Sequence, residues 1–136
     1  VELQTVDEKG NVMPDVVTNV GRAQAAGYLS NTVPQVTTYH GNIGTGAGTS
    51  AVGDTSLFTE TGTARIAITP TRVTRAFTND TARYVFTYTA TGNITVTNAG
   101  YFTASTGGVL MQKSDFASIP LQATDSIEFT FENQQT

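Results

Sequence analysis

From Ala64 to Phe131 the chain alternates, over and over, between threonine and aromatic or β-branched residues. Tyr84, Phe86 and Tyr88 share one parity, Ile94 and Val96 continue it, and Ile127, Phe129 and Phe131 close the chain in the same way. Side chains along a strand point alternately to opposite faces, so each run reads as a strand with one buried and one wet face. Threonine on the wet face favours extended backbone and offers a hydroxyl without charge. The pattern describes a β-scaffold and contains no reaction centre.

Composition narrows what such a scaffold can do. The sequence holds 26 threonines against 18 charged residues, and 13% charged is about half of the roughly 25% usual for globular chains. The surface is therefore neutral and hydroxyl-rich. A net charge of -4, with two lysines and five scattered arginines, argues against binding a nucleic-acid backbone. Arg65, Arg72, Arg75 and Arg83 are close in sequence and are expected to decorate neighbouring strands, pairing with Glu60 or Asp80. With no cysteine, neither disulfides nor thiol redox chemistry is available. No apolar run reaches the roughly 18–20 residues that cross a bilayer, so no membrane partner is expected. The polar, acidic N-terminus does not read as a signal peptide, which makes synthesis in the cytoplasm the expectation.

The 136 residues suggest one domain. Residues 1–13 are polar and mixed, around a Lys9-Gly10-Asn11 turn, and read as an N-terminal arm. Residues 14–136 read as a single β-domain that includes a helix near 15–29. Pro14 and Asp15 suit a first helical turn, and Val16, Val20, Ala23 and Gly27 form its apolar stripe. Tyr39 to Asp54 is Gly-rich and reads as a loop or irregular strand. Strands are predicted at Ala64–Thr69, Thr71–Phe77, Arg83–Ala90, Ile94–Thr97, Gly100–Thr103, Val109–Lys113 and Ser126–Phe131. Asn79-Asp80, Thr91-Gly92-Asn93 and Thr106-Gly107-Gly108 supply turns, and Pro70 marks an edge or bulge. The expected fold is an antiparallel β-sandwich, jelly-roll or immunoglobulin-like, with one short N-terminal helix.

Motifs for chemistry are weak. Gly44-x-Gly46-x-Gly48 is followed by Thr49-Ser50 and Ala51-Val52-Gly53-Asp54, which supply neither the Walker lysine nor a helix start. His40 is the single histidine, has no nucleophile-elbow serine to serve, and is expected to bond the glycine loop. Acidic residues are spread singly and form no calcium loop. No catalytic residue, cofactor site or metal site is expected, and the chain does not read as an enzyme. Tyr84, Phe86, Tyr88, Phe102, Phe116, Phe129 and Phe131 read as core. Tyr28, Tyr39 and Tyr101 are the aromatics that an exposed sugar-stacking face would use.

Gly44-Thr45-Gly46 followed by Asp54-Thr55-x-Leu57-x-x-Glu60 resembles the N-terminal signature of a family of tailed-phage virion proteins, described as tail-fibre-like or capsid-decoration proteins. Thr97-Asn98-Ala99-Gly100-Tyr101-Phe102, Gly107-Gly108-x-Leu110, Phe116-x-x-Ile119 and Asp125-Ser126-Ile127 look like the same family's C-terminal half, so the resemblance covers roughly residues 16–131. It implies a virion structural protein, without fixing its place in the virion. The first expectation is a capsid decoration or cement subunit on the capsid surface that clamps the major capsid protein lattice, itself a homo-oligomer (dimer or trimer). The contact residues expected on that reading are Val1, Leu3, Val6, Val12, Val16, Val20 and Tyr28, on the arm and the helix face. The alternative is a tail- or fibre-associated module that binds host-surface glycans.

Overall fold

The computed structural model describes residues 15–135 in full and, before them, the backbone of two strands. These are β1 (Glu2–Val6) and β2 (Val12–Met13). There follow β3 (Val16–Val17), α1 (Asn19–Leu29), β4 (Tyr39–Gly44), β5 (Ile66–Ile68), β6 (Thr71–Val73), β7 (Thr81–Thr89), β8 (Ile94–Phe102), β9 (Leu110–Leu121) and β10 (Ser126–Gln134). Among the described residues the protein is mainly β, with two antiparallel sheets and one short helix. Sheet A runs β2-β1-β10-β7-β6 and sheet B runs β3-β9-β8-β4-β5.

The two sheets share one core. In β7 the buried residues are Tyr84, Phe86 and Tyr88, and in β10 they are Ile127, Phe129 and Phe131, which is the parity the sequence displays. Rings cross from one sheet to the other. Tyr84 stacks on Tyr101 at 4.3 Å, Tyr39 meets Tyr84 edge-on at 5.0 Å, and Phe116 lies 5.8 Å from Phe129. Such pairs add specific geometry to the transfer free energy of the buried rings. Burial pushes the phenols of Tyr39, Tyr84 and Tyr101 upward, and the Tyr101 hydroxyl is satisfied by donating to Gln112 Oε1.

Several elements depart from the sequence reading. The helix begins at Asn19, not near residue 15, because Val16 and Val17 pair with Lys113 and Gln112 as an edge strand. Thr18 is the cap: its Oγ1 accepts the Gly21 N–H at 2.9 Å. The expected stripe is also displaced. Val20 and Ala23 are exposed, and Gly21 and Gly27 form the buried side. At Gly21 a Cβ would stand 2.9 Å from Met111 Cα, so the helix backbone rests directly on β9. The Gly-rich Tyr39–Gly44 is a regular strand inside sheet B, with the Phe86 ring where a side chain on Gly41 would go. Ile94–Thr97 and Gly100–Thr103 are one strand, broken in register between Val96 and Asn98. β9 continues eight residues past Lys113, to Leu121. The Thr71–Phe77 strand stops at Val73. β5 and β6, which flank Pro70, are both edge strands, as that proline implied.

Residues 1–13 were expected as an arm. The backbone of Glu2–Val6 pairs antiparallel with β10 over its full length, and Val12–Met13 pairs back on β1. These two strands therefore extend sheet A beyond β10.

Candidate functional site

The register break in β8 turns Asn98, Gly100 and Phe102 away from the shared core, while Ala99 and Tyr101 stay inside it. On the neighbouring strands Asn42 and Lys113 pair with Gly100, and Asp115 pairs with Asn98. The outer face of sheet B thus presents a row of amide, ammonium and carboxylate groups. Asn42, Asn98 and Lys113 are nevertheless fully buried. What buries them is the connection from β4 to β5, residues 45–65, which crosses this face as a strap.

Each polar side chain in the row holds the strap. Lys113 Nζ donates to Asp54 Oδ2 at 2.9 Å and to the Ser56 carbonyl at 3.0 Å, and it sits 3.2 Å from the centre of the Phe58 ring. Asn98 clasps one residue from both sides: its Oδ1 accepts the Phe58 N–H at 3.0 Å and its Nδ2 donates to the Phe58 carbonyl at 3.0 Å. Asp115 Oδ1 accepts the Ser50 N–H at 2.7 Å. Thr97 Oγ1 donates to the carbonyls of Gly44 and Gly46. Asn42 Nδ2 donates to Glu60 Oε2 at 2.8 Å, and Glu60 pairs with two of the three guanidinium nitrogens of Arg65, Nε at 2.7 Å and Nη2 at 2.9 Å. Arg65 in turn lies over the Phe102 ring and donates to the carbonyls of Ala104 and Gly107. Beneath this, Leu57, Phe102 and Leu110 make a small second core. At Gly100 a Cβ would come within 2.6 Å of the Gln112 carbonyl and 2.9 Å of Leu57, so only hydrogen lets the strap seat.

The electrostatics favour the closed strap. For Glu60, the Arg65 hydrogen bond outweighs burial and holds the carboxyl below its ordinary range. For Asp54, burial pushes upward, and the Ala51 N–H together with Lys113 more than offsets it, leaving the carboxyl lowered. A buried ammonium with a carboxylate, a carbonyl and an aromatic face around it is matched in charge and hydrogen bonding. These groups are engaged in holding the strap.

The residues expected to form a contact surface are divided by the structure. Val1 lies outside the described residues, as do the side chains of Leu3, Val6 and Val12; the backbone of the last three belongs to β1 and β2. Val16 is half-buried in β3, Val20 is 37% exposed, and Tyr28 is half-buried with its hydroxyl accepting from Gln24 Nε2 at 3.0 Å. Because the consecutive edge strands β5 and β6 share one side, β2 and β3 share the other. The elements that carry these residues therefore gather along one lateral side of the two sheets.

Other expectations are corrected. Tyr39 and Tyr101 are 4% and 1% exposed and cannot stack a sugar. Phe102 is buried, but outside the main core. His40 does not bond the glycine loop; its Nδ1 is buried without a hydrogen-bond partner among the described residues. Of the two carboxylates expected to pair with arginines, Glu60 does so with Arg65, whereas among the described residues Asp80 pairs with no arginine and accepts three backbone N–H groups; Arg75 and Arg83 both engage Glu132, at 2.6 and 2.9 Å. Among the described residues no group of three His, Asp or Glu could hold a metal ion, and no helix is long and apolar enough to cross a membrane. Sequence reasoning missed Phe77, which is 71% exposed at the tip of the β6–β7 hairpin; the signal was the Asn79-Asp80 turn that begins two residues after it.

No protein-family model matches the chain, and no curated protein matches it.

Proposed function

We propose that the chain is a non-enzymatic structural subunit of a virion, a capsid decoration or cement protein that binds and stabilises the major capsid protein lattice of a tailed bacteriophage. The observation that carries this reading is the spatial convergence of the residues behind the phage-family resemblance. Asp54, Leu57 and Glu60 come from one motif, and Phe102 and Leu110 come from motifs about 40–55 residues away in sequence. At the strap Leu57 packs with Phe102 and Leu110, while Asp54 and Glu60 fasten the same segment through Lys113 and Asn42. The weakly charged outer surface suits a contact repeated many times on a symmetric lattice, where modest affinities add through avidity. The lateral side bearing β2, β3 and α1 is the surface assigned to the capsid contact.

The alternative, a tail- or fibre-associated glycan-binding module, loses Tyr39 and Tyr101 as stacking platforms. Quantitative mass spectrometry of purified particles of the encoding phage tests both readings. Hundreds of copies in fixed ratio to the major capsid protein are expected. A few copies to a few dozen would move the protein to the tail or a vertex, and none would overturn the virion assignment.

A further inference from the structure

Within the strap one residue sits in a backbone conformation that its side chain resists. Thr59 has φ +51°, in the left-handed region that glycine and asparagine enter readily and a β-branched residue does not. The backbone around it is fixed on both sides. Asn98 clasps Phe58 at its N–H and its carbonyl, and the same carbonyl accepts the Gly46 N–H at 2.9 Å. The Thr59 carbonyl accepts the Thr45 N–H at 3.1 Å, Glu60 bridges to Gly44, and the Thr61 N–H donates to the Ile43 carbonyl at 3.1 Å. A strained backbone persists only where its surroundings over-determine it, and these contacts do so.

Two carboxylates latch the strap, one on each side of Thr59. Asp54 holds the buried Lys113 ammonium, and Glu60 holds Asn42 and Arg65. The other titratable or charged groups on the elements that meet the strap are few. β9 adds Asp115, which accepts the Ser50 N–H, β4 adds His40, and α1, bonded to the strap through Asn19 and Val52, adds the exposed Arg22. β8 has no charged residue. Both latching carboxyls lie below their ordinary range in the folded protein, so the latches are complete at neutrality and are lost as pH falls below about 4. Without them, the strain at Thr59 is opposed by amide and backbone hydrogen bonds alone.

We infer that Thr59 is a loaded hinge, and that acid releases residues 45–65 as one unit while both sheets stay folded. The unit holds together because the Thr45 and Gly46 N–H groups bind the Thr59 and Phe58 carbonyls, which ties one limb of the strap to the other. The shared core contains no carboxylate to titrate, so the sheets outlast the strap. Opening uncovers Phe102 and Leu110, which now pack against Leu57. Neither the hinge nor the latches depend on the virion reading.

Two probes on the full chain separate strap from sheets. All five tyrosines lie outside residues 45–65, so near-ultraviolet circular dichroism reports the shared core, while the Gly46, Ser50 and Phe58 amides report the strap. As pH falls from about 4 to about 2, these amides are expected to lose hydrogen-exchange protection while the tyrosine signal persists. Thr59→Gly, at an exposed position, relieves the strain and should raise strap protection about 5-fold at about pH 3 without moving the tyrosine signal. Thr59→Asn tolerates the same backbone without glycine's added freedom, and it decides the case if Thr59→Gly gains nothing. Three results would overturn the inference: strap and tyrosine signals lost together, a strap that stays protected in acid, or no gain in protection from either variant.

Discussion

On the outer face of sheet A, Thr87, Thr89, Ser126 and Glu128 meet solvent directly, with Thr89 and Ser126 sharing a hydroxyl hydrogen bond across β7 and β10. On the outer face of sheet B, Asn98, Gly100 and Lys113 lie under the strap and see no water. Both faces are polar in sequence, and the difference lies in the kind of polarity. Threonine is satisfied by solvent and by its neighbour across the sheet, and it needs nothing above it. A buried amide or ammonium must find partners in protein, and here it finds them in the backbone and side chains of residues 45–65. Where the threonine alternation gives way to asparagine, glycine and lysine, the sheet is covered.

This contrast should be most visible at Asp54. Asp54→Ala leaves the fully buried Lys113 ammonium with only the Ser56 carbonyl and the Phe58 ring, and a loss of about 3–5 kcal/mol in denaturant unfolding is expected. Lys113→Met removes the buried charge itself and leaves Asp54 near solvent, so it should cost clearly less, about 1–2 kcal/mol. Equal losses from the two variants would mean that the ammonium is not sealed. Gly100→Ala comes next: the new methyl meets the Gln112 carbonyl and Leu57, and about 1–3 kcal/mol should be lost as the strap is pushed off. The corresponding change on the bare face, Thr87→Val, should stay within about 0.5 kcal/mol of the unmodified protein. A larger effect there would mean that the face has a partner within the chain.

Acid should separate the two faces too. Asp54 and Glu60 have lowered pKa values in the folded protein, so their stabilisation is present above the unfolded carboxyl range of about 3.9–4.3. It is lost as pH falls through the folded values. The strap should therefore hold from neutrality down to about pH 4 and loosen below it. Acid titration followed by strap amide resonances would show this, and loosening already near pH 6 would contradict the assignment.

What could be read in advance follows the same division. The parity of Tyr84, Phe86, Tyr88, Phe129 and Phe131 was legible because those strands are regular and their burial is decided within each run. The outward turn of Phe102 was not, because a break in β8 register inverts the faces and one sequence does not announce it. The roles of Asp54 and Asn98 depend on partners 59 and 40 residues away. The helix start was misplaced because Val16 and Val17 find a strand partner in β9, and that pairing outweighs a proline and an acid that suit a first turn. Likewise the middle of β9, Ser114 to Ser118, has little β-propensity of its own and is held extended by β8. The motif residues Asp54, Leu57 and Glu60 were visible as letters, but their physical meaning, a fastening, required the fold.

Amide hydrogen exchange along residues 45–63 tests the central claim, that the strap is a fixed part of sheet B. Gly46, Ser50 and Phe58 donate their N–H groups to the Phe58 carbonyl, Asp115 and Asn98. They should exchange nearly as slowly as the amides of β8, and Asp54→Ala should release all three together. Exchange of these amides at the rate of the open 91–93 turn would contradict the account.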